Sequence, residues 1–270
     1  MKSEILEVKH LTVDCGNHKM LKNIISDISF HLKRNHCFGI VGESGSGKSI
    51  TCKAILGLLD KSFDVKGDVI FNDIHLLKED KRKIRHIRGK EISMILQNPM
   101  TSFDPLFPVQ EQMVETFIEN LNISKKEALE LSLKGLEDMH ILHPKDVLKK
   151  YPHQLSGGML QRVMIGIALA LKPSIIIADE PTTAVDAINV VKVMEQFIRI
   201  KENHHVSMIF ISHDLGAVSK IADDLLVMKD GKIVEAGETQ QVLNRPQSEY
   251  TQYLINIRNA LVDRFYHVIG

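Results

Sequence analysis

The rhythm of apolar and polar positions changes several times along this chain, and the changes mark its elements. Near the start, Ile5–Val13 and Ile24–Leu32 read as β-strands joined by a polar turn around Gly16-Asn17-His18. Cys37–Val41 is a short run of the kind a buried strand shows, and it feeds a glycine-rich loop. From Lys48 to Leu59 the positions Ile50, Ala54, Ile55 and Leu58 mark an amphipathic helix. Val65–Phe71 and Ile92–Leu96 read as further strands.

The middle of the chain, roughly 98–172, has a different character. Helical spacing dominates over Val109–Ile118, Lys125–Met139, Pro144–Tyr151 and Ser156–Leu171. In the last of these, Leu160, Val163, Met164, Ile167, Ala168 and Leu171 recur at the spacing of one helix face. Beyond it, strands at Ile175–Asp179, Val206–Ile211 and Leu225–Met228 alternate with helices at Ala187–Glu202 and Leu215–Ile221. That alternation is the βαβ signature of a sheet with helices on both faces, so a helical insert sits inside an α/β core. Asp230-Gly231 reads as a hairpin turn, and the tail from Glu238 onward reads as helix broken at Pro246.

Composition narrows the function classes. At 270 residues the chain is long enough for a real core. Lys plus Arg and Asp plus Glu number 34 each, a net charge of zero that lacks the basic footprint of a nucleic-acid binder. The basic stretch Lys81–Arg88 carries Ile84 and Ile87 at helical spacing and follows Glu79-Asp80, so it reads as a solvated helix face. Cys15, Cys37 and Cys52 show no C-x-x-C spacing and read as reduced thiols. Lys2, Glu4 and Glu7 interrupt the N-terminus against a secretory segment. The longest apolar run, Val163–Leu171, is far short of the roughly 20 residues that span a bilayer. The thirteen histidines are scattered, and His204-His205 reads as a loop rather than a metal site.

The chemistry is concentrated in a few segments. Gly42-Glu43-Ser44-Gly45-Ser46-Gly47-Lys48-Ser49, with Ile50 next to it, fits the phosphate-loop pattern and lies between a strand and a helix, the context that pattern requires. Its glycines let backbone N–H groups approach phosphate oxygens, and the helix that follows aims its positive end at them. Lys48 is expected to reach the β/γ-phosphates of a nucleotide and Ser49 to ligate Mg²⁺. Asp179 ends an apolar strand and suits the metal site, while Glu180 is placed to orient or deprotonate an attacking water. Gln97 follows a strand and can reach metal and water; His213, at another strand end, can touch a γ-phosphate. Ser156, Gly157 and Gly158 begin a helix and form a second anion site.

In this order, the phosphate loop, Gln97, Leu155-Ser156-Gly157-Gly158-Met159, Asp179-Glu180 and His213 resemble the ATP-binding subunit of an ABC transporter over nearly the whole chain. The resemblance implies a P-loop NTPase ABC cassette of α/β class, with a RecA-like mixed-sheet core, an antiparallel β subdomain and an inserted helical subdomain. It implies one ABC ATPase domain over 1–270: residues 1–97 and 173–236 as core, 98–172 as helical subdomain and 237–270 as helical tail. ATP and Mg²⁺ are the implied cofactors, with the signature segment of one subunit closing over ATP held by the other. Asp186 is the position that would communicate across such a dimer. Two departures stand out: Met159 replaces the more frequent Gln, and no aromatic lies between Val13 and Leu21 to stack on adenine, His18 being the nearest substitute.

Within the family, Gln97-Asn98-Pro99-Met100-Thr101-Ser102-Phe103-Asp104-Pro105, Ile177-Ala178-Asp179-Glu180-Pro181-Thr182-Thr183, Pro246 and Tyr250-Thr251 resemble the peptide/nickel importer branch. Ser156-Gly157-Gly158-Met159-Leu160-Gln161-Arg162 is similar to nickel-import subunits. The resemblance implies uptake of nickel or a metal chelate, with dipeptide or oligopeptide import as the alternative. A soluble ABC ATPase acting on ribosomes or DNA is the rival class. The implied partners are a homologous second ATPase subunit in a heterodimer, two transmembrane permease subunits and a substrate-binding protein. The expected location is the cytoplasmic face of the membrane, held there by those partners.

Overall fold

A computed structural model describes residues 3–17, 20–183, 187–203 and 206–269. Strands β1 (Glu4–Asn17), β2 (Met20–Lys33) and β3 (Cys37–Val41) precede helix α1 (Lys48–Ile55). Strands β4 (Phe63–Phe71) and β5 (Ile74–His75), helix α2 (Lys81–Ile87) and strand β6 (Ile92–Ile95) follow. Helices α3 (Val109–Leu121), α4 (Lys125–Asp138), α5 (Pro144–Lys149) and α6 (Gly157–Ala170) fill the middle. Then come β7 (Ile175–Asp179), α7 (Ala187–Asn203), β8 (Ser207–Ser212), α8 (Leu215–Ser219), β9 (Asp224–Lys229), β10 (Lys232–Glu238), α9 (Thr239–Asn244) and α10 (Glu249–Ile269).

The chain divides into two compact units, Met1–Glu79 with Ser207–Gly270, and Asp80–Val206. In the first, β2-β1-β4-β5 form an antiparallel sheet. Strand β3 pairs in parallel with both β8 and β9, and β10 runs antiparallel to β9. Every residue of β3 and β8 is buried, as expected of strands covered on both faces. Phe30 and Phe38 stack with ring centroids 4.7 Å apart. In the second unit β6 and β7 pair in parallel, and α3, α4, α5 and α6 pack together. Phe117 and Phe197 are both fully buried there.

Several boundaries differ from the sequence reading. The first hairpin runs on past Val13 to the pair Asn17↔Met20. Those added residues need no apolar pattern, because one face of an antiparallel pair can remain solvated. Helix α1 stops at Ile55 rather than Leu59. Gly57 adopts a left-handed φ of 59°, its N–H bonds Ala54 O, and Leu58 N–H reaches back to Lys53 O. That is a Schellman ending, and it leaves Leu58 46% exposed instead of on the buried face. Helix α5 ends at Lys149, with Lys150 extended and Tyr151 standing before Pro152, where helical backbone is disfavoured. The Asp230-Gly231 turn is as read, with both residues at positive φ.

Helix α6 is buried over more of its circumference than its apolar stripe indicates. Gln161, Ile165 and Gly166 are buried as well, and among the described residues neither polar atom of the Gln161 amide has a hydrogen-bond partner. Where α6 meets α4 the two backbones touch. A β-carbon on Gly166 would lie 2.8 Å from Gly135 O, and one on Gly135 would lie 3.3 Å from Gly166 O. Ordinarily a helical Gly→Ala change stabilises by up to about 1 kcal/mol. Here overpacking against a carbonyl, which costs roughly 1–3 kcal/mol, outweighs that gain. Gly166→Ala is therefore expected to lower the melting temperature by about 2–4 °C, and Gly135→Ala by less. Thermal unfolding of both variants tests this; an unchanged or raised midpoint for Gly166→Ala would show that the crossing has room.

Candidate nucleotide site

In the first unit the phosphate loop joins β3 to α1. Glu43, Ser44 and Gly45 form an exposed arc, while Ser46, Gly47 and Lys48 are buried and Ser49 and Ile50 are half-buried. Gly47 caps α1 at φ 101°, a left-handed conformation, and a β-carbon there would come within 2.3 Å of Ile25 Cδ1. The Lys48 ammonium donates to Gly42 O and Glu43 O, 2.8 Å each. Ser46 N–H donates to Glu43 O at 3.2 Å, and Ser46 O accepts from Gly231 N–H at 3.1 Å. The loop's own carbonyls are thus tied inward.

A phosphate suits this arrangement. Among the described residues the buried Ser46 hydroxyl has no hydrogen-bond partner, and Lys48, two residues on, is buried as well. Such an orphaned group costs about 1–3 kcal/mol when nothing completes it. His213 leaves the end of β8, where Ser212 pairs with Val41, so the phosphate loop and His213 depart from neighbouring strand ends. His213 is exposed, and Asp214 beside it caps α8, accepting the Gly216 N–H at 2.7 Å.

In the second unit Asp179 ends β7 and is 3% exposed. Glu180 follows at φ 45°, left-handed for a residue with a β-carbon, a conformation that costs of order 1–3 kcal/mol and persists only where the surroundings hold it. Its carboxylate accepts from Gln97 Nε2 at 3.1 Å and from Thr183 Oγ1 at 2.9 Å. Gln97 and Glu180, far apart in sequence, are thus brought together. Thr183 drew no notice in the sequence reading beyond its place in a motif.

Ser156 is exposed and caps α6, its Oγ accepting the Met159 N–H at 3.3 Å. Gly157 and Gly158 form the first turn, half-buried. The same unit holds a cleft of about 1300 Å³ whose lining includes Arg82, Arg85 and Arg88 and also Glu111, Glu115 and Glu119. Among the described residues no cluster of three or more His, Cys, Asp or Glu could hold a metal. Neither does any helix there have the length and apolarity to cross a membrane. His18, Asp186, His204 and His205 lie outside the described residues.

Comparison with known proteins decides the family. A model of the family described as ABC transporter matches residues 25–183. The chain belongs to the ABC transporter family. It is an ATP-binding, ATP-hydrolysing cassette with the P-loop NTPase fold. Over 266 residues it is 44% identical to the metal-staphylopine import system ATP-binding protein CntD of Staphylococcus aureus, covering 98% of this chain and 97% of that protein. It is 38% identical over 262 residues to the glutathione import ATP-binding protein GsiA of Escherichia coli K12, covering 93% of this chain but 41% of that protein. Among solved structures, the dimeric post-hydrolysis cassette MJ0796 bound to ADP and Pi aligns with a TM-score of 0.77 at 25% identity, over 87% of this chain and 98% of that one. The fold of cbiO1 from Clostridium perfringens aligns with a TM-score of 0.75 at 24% identity, covering 99% of each chain.

The cap at α6 makes a separable prediction. Ser156→Ala should cost roughly 0.5–2 kcal/mol of stability, and Ser156→Asp, which restores a capping acceptor, should recover most of it. Denaturant unfolding of the two variants checks this; equal losses in both would show that the hydroxyl does not act as a cap.

Proposed function

We propose that this chain is the ATP-hydrolysing subunit of a membrane importer that takes up nickel or another metal as a chelate. The observation that carries this reading is its 44% identity to the metal-staphylopine import ATPase over 98% of this chain and 97% of that protein. Dipeptide or oligopeptide import is the second reading, favoured by the likeness to glutathione and peptide importers.

In this reading Gly42–Ser49 and Ile50 cradle the phosphates of ATP, and Lys48 leaves its carbonyl partners to meet the β- and γ-phosphates. Ser49, Gln97 and Asp179 would hold Mg²⁺. Their donors, a hydroxyl, an amide oxygen and a carboxylate, are the hard oxygens that cation takes. With Gln97 Nε2 engaged by Glu180, its amide oxygen would be the donor left for that cation. When bound, the cation neutralises charge on the phosphates. Glu180, fixed by Gln97 and Thr183, accepts a proton from or orients the attacking water, and His213 contacts the γ-phosphate.

Ser156 and the Gly157-Gly158 amides meet the γ-phosphate held by a second, homologous subunit, so two cassettes close around each nucleotide. Two permease subunits and a substrate-binding protein complete the importer. Closure of the two cassettes is passed to the permease subunits through a groove near Gln97 and the helical insert, and those partners hold the chain at the cytoplasmic face of the membrane. The division into core (1–97, 173–236), helical subdomain (98–172) and tail (237–270) is part of the same proposal.

Glu180→Gln should retain ATP binding and lose about 10²- to 10⁴-fold in turnover. Turnover at the original rate would remove Glu180 from the chemistry. Ser156→Asp, capped but negatively charged, should block ATP-driven dimerisation; dimers forming as before would place Ser156 away from the nucleotide. The substrate is decided with the complete transporter in vesicles, given nickel ion, nickel chelates and short peptides in separate trials. ATP-dependent accumulation of chelate is expected, and accumulation of peptide alone would transfer the chain to the second reading.

A further inference from the structure

The tail helix reaches the phosphate loop. The carboxylate of Glu235 on β10 accepts the N–H groups of Gln247 at 2.8 Å and Ser248 at 3.0 Å, which fixes the entry to α10. Ser248 Oγ accepts the Tyr250 N–H at 3.2 Å. The Tyr250 hydroxyl in turn accepts the N–H of Glu43, inside the phosphate loop, at 3.1 Å. Lys229 Nζ lies 4.8 Å from the centroid of the Tyr250 ring. Two residues on from Lys229, Gly231 donates its N–H to Ser46 O in the same loop.

Glu43 is the node of this arrangement. Its carbonyl accepts from both Lys48 Nζ and Ser46 N–H, so whatever sets the orientation of this residue's backbone also sets the resting place of the lysine. Burial pushes the Tyr250 phenol above its ordinary pKa, so it stays a neutral hydroxyl able to accept from Glu43. Further along, α10 packs against α8, and a β-carbon on Gly216 would lie 3.3 Å from Arg258 Nε. One helix therefore touches the phosphate loop at one point and the segment just after His213 at another.

We propose that α10 is a strut for the ATP site, with Tyr250 a positioning residue that holds the phosphate loop in its nucleotide-ready shape through the Glu43 amide. This rests on the reading of Gly42–Ser49 as the ATP loop. Tyr250 acts before chemistry: it organises the loop that receives ATP and touches no reacting atom. Its removal should weaken nucleotide binding and leave the catalytic step alone.

The test uses the full chain, with ATP binding measured by titration calorimetry and turnover measured in the assembled transporter. Tyr250→Phe keeps the ring and its contact with Lys229 and removes only the hydroxyl. A single hydrogen bond of ordinary strength corresponds to about a threefold to tenfold change. Kd and KM for ATP should rise by that factor, kcat at saturating ATP should stay within about twofold, and the melting temperature should hardly move. Ser248→Ala, which loosens the turn carrying Tyr250, should shift KM in the same direction by less, and it serves if Tyr250→Phe does not fold. Lys48→Ala separates the two layers. Loss of ATP binding in Lys48→Ala with wild-type affinity in Tyr250→Phe overturns the strut alone. Unaltered binding in Lys48→Ala overturns the loop assignment and the strut with it. A fall in kcat at unchanged KM in Tyr250→Phe also overturns the proposal, because it would place the hydroxyl in the chemical step.

Discussion

A loop that offers its amides to a ligand can spend few of those amides on holding its own shape. Backbone N–H and C=O groups in folded proteins are almost all paired, so the loop between β3 and α1 has to be anchored by other means. It is anchored through its carbonyls and its first residues. Lys48 draws Gly42 O and Glu43 O together, Gly231 takes Ser46 O, Ser46 N–H closes back on Glu43 O, and Tyr250 receives the amide of Glu43. The rest of the first unit follows from that demand. The β9–β10 hairpin has to bring Gly231 to the loop, and the tail helix has to start where Tyr250 can reach it.

The second unit solves a different problem, the presentation of a carboxylate from a conformation that a side chain resists. Glu180 sits at positive φ directly after a fully buried strand. Two hydrogen bonds from Gln97 and Thr183 fix its head group, while the buried strand fixes its root. Strain of this kind is tolerated where the surroundings over-determine the position. Gln97 comes from the end of β6, the parallel neighbour of β7, so strand pairing itself supplies the donor.

Much of the fold and of the candidate site was legible in the residues, because the motifs read as a phosphate site are defined by local spacing. Gly42–Ser49, the apolar strand ending at Asp179, and Ser156 ahead of an apolar helix are all motifs within a single segment. Strand and helix positions followed for the same reason, and errors gathered at ends where the deciding force is not periodic. Leu58 carried the right spacing for α1, yet a left-handed Gly57 ended the helix before it. Residues 14–17, which carry no alternating apolar pattern, continue β1 because their pairing partners hold them in the sheet. Tyr250 could not be read as a partner of Glu43, since 207 positions separate them and nothing local to either announces the contact. Thr183 stood in a quoted motif, but its bond to Glu180 depends on the irregular backbone at that residue.

The meeting of Gly135 and Gly166 carries a consequence for how this chain can drift in sequence. A tight contact between two side chains can be relieved by shrinking one when the other grows. At this crossing each glycine faces the other's carbonyl oxygen, which belongs to the main chain and is the same for every amino acid. No second-site replacement can make room, so neither position can trade volume with the other. The helix that begins at Ser156 is therefore seated on α4 by a contact where enlarging either glycine costs stability that shrinking a side chain opposite does not restore.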